Sequence, residues 1–175
     1  MTPGRPNQLH VDVRPNGESA VIYFSGLITD AARPQLTMLV KQVTATKCSF
    51  NLKGISSIDS LGVRGWIQFM RDFSVGRTLV FEECSPDVVM QINMVPAFLQ
   101  PASLASIYTL YQCDECGETR LRLVNLDQAY ATGNADLPEE KCLTCQVQME
   151  PDSDGQLCLT NFFEGRRRAQ MKRAQ

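Results

Sequence analysis

Across residues 48–73 the hydrophobic period changes from two to about 3.6, and a chain that does this must pass from a strand almost directly into a helix. Cys48, Phe50 and Leu52 alternate with Ser49 and Asn51, the pattern of a half-buried strand. Val63, Trp66, Ile67, Met70 and Phe73 then share one helical face. The junction at residues 55–66 reads Ile-Ser-Ser-Ile-Asp-Ser-Leu-Gly-Val-Arg-Gly-Trp. Asp59 and Ser60 suit the capping of a helix start, and Gly62 lets the backbone turn closely. A helix end presented at a loop exposes unpaired N–H groups, so it suits an anion, a phosphorylated side chain or a partner's carboxylate. The same residues also serve a plain strand-to-helix turn with Asp59 as an ordinary cap.

The flanking segments extend this into an α/β order. Residues 9–13 and 20–24 read as strands joined at Pro15-Asn16-Gly17, where Asn-Gly supplies the positive φ of a hairpin turn. Asp30 is suited to cap the next helix, Pro34 sits in its opening turns, and Leu36, Leu39, Val40 and Val43 give it one apolar face ending near Thr46. After Phe73 come a strand at 78–82 and a helix capped by Ser85 and opened by Pro86. Crossovers of this kind make part of the sheet parallel.

Asp59-Ser60-Leu61-Gly62-Val63 ahead of an amphipathic helix resembles the Asp-Ser-Ser-Gly signature of STAS domains, the module of sulfate transporters and anti-sigma-factor antagonists. Phe24-Ser25-Gly26-Leu27-Ile28 resembles the Phe-x-Gly-x-Ile stretch those domains carry before their first helix. The resemblance covers residues 7–110 and implies a small mixed sheet with helices packed mainly on one face. It also implies a docking surface at Asp59, Ser60, Leu61, Gly62, Val63 and Arg64. The partner class it implies is an anti-sigma factor or a kinase of the histidine-kinase-like ATPase fold. Switchable members phosphorylate a Ser or Thr just before the glycine, and here that position is Leu61. Ser60 is the neighbouring hydroxyl, either an acceptor in its place or a helix cap. A phosphate would add roughly −1.5 to −2 charge at the docking surface; with leucine there, the expectation is a binder outside kinase control.

Beyond a β-rich run at 105–112, Cys113-Asp114-Glu115-Cys116-Gly117 and Cys142-Leu143-Thr144-Cys145 form two pairs separated by 25 residues. Each pair can turn two thiolates toward one ion, and four complete a tetrahedron with Zn–S near ~2.3 Å, the zinc-ribbon arrangement. The separation exceeds the common range of about 15 to 20. Residues 121–126 can supply a ribbon strand and Gly133-Asn134 a loop tip. A redox role would want a nucleophilic cysteine at a helix start in a βαβ context, which neither pair has. Four cysteines also close the coordination shell, so the expected Zn2+ is structural, contributing on the order of 10 to 16 kcal/mol of coupled folding energy. Cys48 and Cys84 read as core residues, and Cys158 as core or a spare ligand.

The expected organisation is a STAS-like unit at 7–110, a zinc-ribbon-like β appendage at 111–163 and a basic tail at 164–175. An acidic linker around Met149-Glu150-Pro151-Asp152 leads to an aromatic segment ending in Phe162-Phe163, and a solvated tail follows. Of 17 basic residues five fall in the last ten positions, leaving 12 against 19 acids in the rest. The formal charge of −2 offers no general reason to bind nucleic acid, and the ribbon segment is more acidic than basic. A nucleic-acid adaptor working through ribbon and tail is nevertheless the competing reading. An enzyme has little support: His10 is the single histidine, and no Ser/His/Asp or phosphate-loop pattern occurs. No apolar run approaches the roughly 20 residues of a membrane span, and residues 1–12 carry no signal-peptide core, so a cytoplasmic regulatory protein is expected.

Overall fold

The structure is a computed structural model and describes residues 8–133 and 135–173. Residue 7, where the first unit was expected to open, Asn134 of the expected loop tip and the last two tail positions lie outside the described residues.

β1 (His10–Asn16) and β2 (Ser19–Ile28) form the hairpin, with Asn16 facing Ser19 and Gly17 at φ 59°. A 3-10 turn, Asp30–Ala32, leads into α1 (Arg33–Gln42). Asp30 does not cap that helix; the cap position is Ala32, and Asp30 pairs instead with Arg33 Nε at 2.7 Å. The helix also ends before Thr46, because Val43 already adopts extended backbone at ψ 118° to feed the next strand. β3 (Lys47–Ile58) outruns the expected 48–52: it follows β2 in parallel as far as the Ile28–Ile58 pair and buries Ile55 on the way. A single residue, Asp59, then separates it from α2 (Ser60–Phe73). β4 (Thr78–Glu82), α3 (Pro86–Met94) and the short β5 (Ser103–Leu104) complete this part, and Ser85 caps α3 as its sequence indicates.

The five strands lie in the order β1-β2-β3-β4-β5, antiparallel at the hairpin and parallel elsewhere. Alternation puts Ile22, Phe24, Phe50, Leu52 and Phe81 on one face, each at most 1% exposed. α2 lays Trp66, Phe69 and Phe73 on that face, with Phe24–Trp66 centroids 5.2 Å apart and Phe50–Phe73 5.3 Å apart. Burying each such ring contributes about 1.5–3 kcal/mol, so this face anchors α2. Trp66 donates its indole N–H to the Phe98 carbonyl at 3.1 Å, leaving no polar atom stranded. Val21, Tyr23, Ser49, Val80 and Glu82 on the other face remain half-buried. The result is the expected mixed sheet with helices mainly on one side. Arg77 closes the bottom, donating to Val43 O at 2.6 Å and Phe73 O at 2.8 Å, where the negative helix ends of α1 and α2 meet.

A second sheet follows. β6 (Ser106–Gln112), β7 (Thr119–Asn125), β8 (Glu140–Lys141) and β9 (Gln148–Pro151) pair antiparallel in the order β7-β6-β9-β8. β6 straddles the residue 110 boundary drawn from sequence, and its start pairs with Cys84, joining the two sheets. Between β7 and β8 stands a helix that the sequence does not announce, α4 (Leu126–Thr132), capped by Asn125 and closed by Gly133 in the left-handed region. Gly133 is therefore a helix C-cap rather than a ribbon loop tip. The acidic linker is partly strand, and the aromatic segment and tail form one helix, α5 (Ser153–Arg173). Cys158, Leu159 and Phe163 on it are buried, and Asn93 of α3 donates to Asp154 O at 2.9 Å. Among the described residues no helix is long and apolar enough to cross a membrane.

Candidate functional site

The Asp59–Gly62 corner sits where β2 and β3 project past the end of β4. Asp59 N donates to Ile28 O at 3.1 Å, and the Asp59 carboxylate accepts from Gly62 N at 2.6 Å. Any Cβ on Gly62 would stand 1.9 Å from Ile28 O, so only glycine lets the helix start lie against the strand tip. Asp59, Ser60, Leu61 and Arg64 are exposed, Leu61 at 54%, whereas Gly62 is buried and Val63 packs partly against the core. The Asp59 carboxylate caps this helix end at Gly62 N, so an anion approaching there meets a like charge. Ser60 is not the cap, and its side chain faces solvent.

The second constellation is the cysteine cluster. The Sγ atoms of Cys113, Cys116, Cys142 and Cys145 all lie within 4.8 Å of one another, with Cys113–Cys145 at 3.3 Å, Cys116–Cys142 at 3.5 Å and Cys116–Cys145 at 3.8 Å. A tetrahedron with Zn–S of ~2.3 Å has sulfur–sulfur edges of about 3.8 Å, so the spread fits one tetrahedral ion and is too wide for a disulfide at ~2.05 Å.

The two knuckles repeat one geometry. Cys113 N donates to Glu118 O at 2.9 Å and Gly117 N to Cys113 O at 2.8 Å; Cys142 N donates to Val147 O at 2.9 Å and Gln146 N to Cys142 O at 3.0 Å. Both turns need a positive φ one residue after the second cysteine, met by Gly117 at 73° and by Gln146 at 60°. Backbone N–H of Cys116, followed by the Cys145 thiol, holds the Cys113 thiol down to about 7, and the Cys113 thiol pushes Cys145 up to about 12. Glu118, which the sequence reading passed over, ties the knuckles together. Its carboxylate accepts from Thr144 Oγ1 at 2.7 Å and Cys142 Sγ at 3.1 Å, and these two donors hold it below the ordinary carboxylate range. Its one sequence signal is its place directly after the knuckle glycine.

The other three cysteines stay apart from the cluster. Cys48, Cys84 and Cys158 are buried free thiols, and burial pushes Cys84 far up and Cys158 up to about 12. Cys158 is thus a core residue and not a spare ligand. On the tail, Arg166 lies over the Tyr130 and Phe162 rings and pairs with Asp127, a structural use of one basic residue, while Arg167 and Arg168 are exposed.

Fold and site together define a mixed α/β domain joined to a small β unit with a four-cysteine cluster able to hold a metal. The chain is similar to the solved structure of the unphosphorylated anti-sigma factor antagonist SpoIIAA, at 19% identity and a TM-score of 0.42 over 56% of this chain and 88% of that one. It is also similar to an anti-sigma factor antagonist from Mycobacterium paratuberculosis, at 15% identity and a TM-score of 0.44 over 57% of this chain and 88% of that one. No family model and no curated protein matches the sequence.

Proposed function

We propose that this chain is a non-enzymatic regulatory module of the cytoplasm that binds a protein partner through the loop and helix at residues 59–70. The observation that carries this reading is Leu61, 54% exposed on a turn that the Asp59 cap and the Gly62 contact leave no room to rearrange. A large apolar side chain on a rigid turn costs little ordering entropy to bury, and covering the exposed half of Leu61 returns about 1–1.5 kcal/mol. The partner class implied by the Asp59-to-Val63 motif is an anti-sigma factor or a histidine-kinase-like ATPase-fold kinase. Because Leu61 stands where switchable members carry the acceptor, binding is not under phosphorylation control. Cys113, Cys116, Cys142 and Cys145 hold a structural Zn2+ that staples the appendage, which begins with β6 rather than at residue 111 and whose α5 continues into the basic tail.

Affinity capture with the wild-type chain and with Leu61→Glu tests the docking surface, because that exposed substitution leaves the fold intact. Loss of the captured protein with Leu61→Glu supports the reading. Retention by Leu61→Glu, with loss on deleting residues 164–175, transfers the contact to the tail and favours the nucleic-acid adaptor. Detection by mass spectrometry of a Ser60 phosphate that disappears in Ser60→Ala would overturn the absence of kinase control.

A further inference from the structure

Alongside the corner, α1 and α2 enclose an open groove of about 840 Å³ whose lining includes Val40 and Ile67, both half-buried. Its rims carry Arg33 and Lys41 from α1 and Arg64 and Arg71 from α2. Arg64 and Arg71 lie two turns apart on one helix face, so the cations form two facing rows. Arg33 is paired with Asp30 at 2.7 Å, and among the described residues no carboxylate forms an ion pair with Lys41, Arg64 or Arg71. Asp72 is the one acid in the lining, and it accepts from Gln68 Nε2 at 3.0 Å. This cationic rim interrupts a body that, without the last ten residues, carries 12 basic and 19 acidic side chains. A local reversal of sign around an apolar trough selects an occupant of opposite charge with an apolar stripe of its own.

We propose that the groove docks an acidic amphipathic helix of the partner protein, its apolar stripe on Val40 and Ile67 and its carboxylates between the facing rows Arg33/Lys41 and Arg64/Arg71. The inference rests on the docking role of residues 59–70, since Arg64 belongs to both the corner and the groove. The ten residues of α1 give a trough of about 15 Å, enough for roughly three turns of a bound helix. A small inorganic anion would leave the apolar floor wet, whereas a helix covers floor and rim together.

The test uses a fluorescein-labelled peptide of about 14 residues with leucines at i, i+3, i+4 and i+7 and glutamates flanking them, read by anisotropy against the full chain. Controls are the same peptide with lysine for glutamate and a scrambled glutamate peptide without the stripe. The expected result is saturable binding of the acidic amphipath, about tenfold weaker for the scrambled peptide and absent for the lysine one. Arg71→Glu and Lys41→Glu, both at exposed positions, should each weaken it by about tenfold, and raising salt should weaken it further. A zero-length carboxyl–amine crosslinker should join peptide glutamates to Lys41. Equal binding of the scrambled peptide, or of both charge-reversed variants, overturns the proposal, as does stronger competition by a single-stranded oligonucleotide. Leu61→Ala, which removes the apolar contact without setting an acid beside Arg64, separates the two readings: it should weaken partner capture yet lower peptide binding far less than Arg71→Glu does. If peptide binding fails while Leu61→Glu still blocks capture, the groove proposal falls and the docking corner stands. If the peptide binds and Leu61→Glu still captures the partner, the corner reading falls.

Discussion

Replacing Gly62 by alanine puts the tightest contact of the Asp59–Gly62 corner to a quantitative test. The added methyl carbon would lie 1.9 Å from Ile28 O, 2.5 Å from Ile28 C and 2.9 Å from Thr29 N, all backbone atoms with no rotamer to yield. An ordinary carbon–oxygen approach is about 3.3 Å, so the start of α2 must retreat by roughly 1.4 Å. That retreat breaks the 3.1 Å bond from Asp59 N to Ile28 O, costing about 1 kcal/mol, and the overpacking adds about 1–3 kcal/mol. Alanine returns up to about 1 kcal/mol of helix propensity, for a net loss of about 1–3 kcal/mol. Gly65, one turn later, is the control, because a methyl there meets only the movable Arg33 side chain, at 3.2 Å from Cγ. Gly65→Ala should therefore gain up to about 1 kcal/mol, and the two variants should differ by about 2–4 kcal/mol, or about 5–15 °C in Tm. Emission of Trp66, buried against this helix's own core, follows the melt. A Gly62→Ala protein melting as high as Gly65→Ala would refute the wedge of α2 against β2.

The proposed zinc is tested with a strong chelator or with Cys142→Ser: either should leave no zinc by elemental analysis and collapse the amide dispersion of residues 113–149, while Trp66 emission stays unchanged because its contacts lie on and beside the first sheet. Gln146→Gly relieves a non-glycine at φ 60° and should raise stability by about 1 kcal/mol without lowering metal content, measured by denaturant melts of the zinc-loaded protein. The buried thiols predict an alkaline loss of stability. Cys158 rises from 9.0 to about 12 through burial, so its contribution is complete below pH 9 and is lost between about pH 9 and 12, as unfolded thiols ionise and folded ones do not. At pH 10 the loss should be about 1 kcal/mol, and Cys158→Ala should remove that part of the alkaline slope in urea titrations. Iodoacetamide at pH 8 should accordingly leave Cys84 and Cys158 unmodified until the chain unfolds, as peptide mapping would show.

Much of this was legible in the chain because it depends on near neighbours. Asp59 three residues before Gly62 suffices to cap a helix, the change of period at 48–73 suffices to make a strand enter one, and each cysteine pair sets its own knuckle. Features that failed to show depend on distant chain. β3 runs on to Ile58 because β2 is there to pair with it, not because its own alternation continues. α4 spans only Leu126–Thr132, too short for a periodic signal, and stands because Leu126 is buried and Tyr130 meets Phe163 of α5. The composition of the tail leaves helix and coil open, and it continues as helix from the part of α5 before it, which burial of Cys158, Leu159 and Phe163 fixes.

The sequence alone therefore determined which side chains stand at the corner and in the cluster: the leucine after Ser60, the aspartate that caps, the glycine that lets two backbones touch and the four sulfurs. Tertiary structure alone decided which of them meet and which face water. It brought thiols from separate turns within 4.8 Å, kept Leu61 outside while burying Gly62 beside it, and set two helices so that four cations from separate segments rim one groove. The reason is range: capping and turn geometry act over a few residues, whereas burial and electrostatic field are properties of surfaces assembled from segments far apart in the chain.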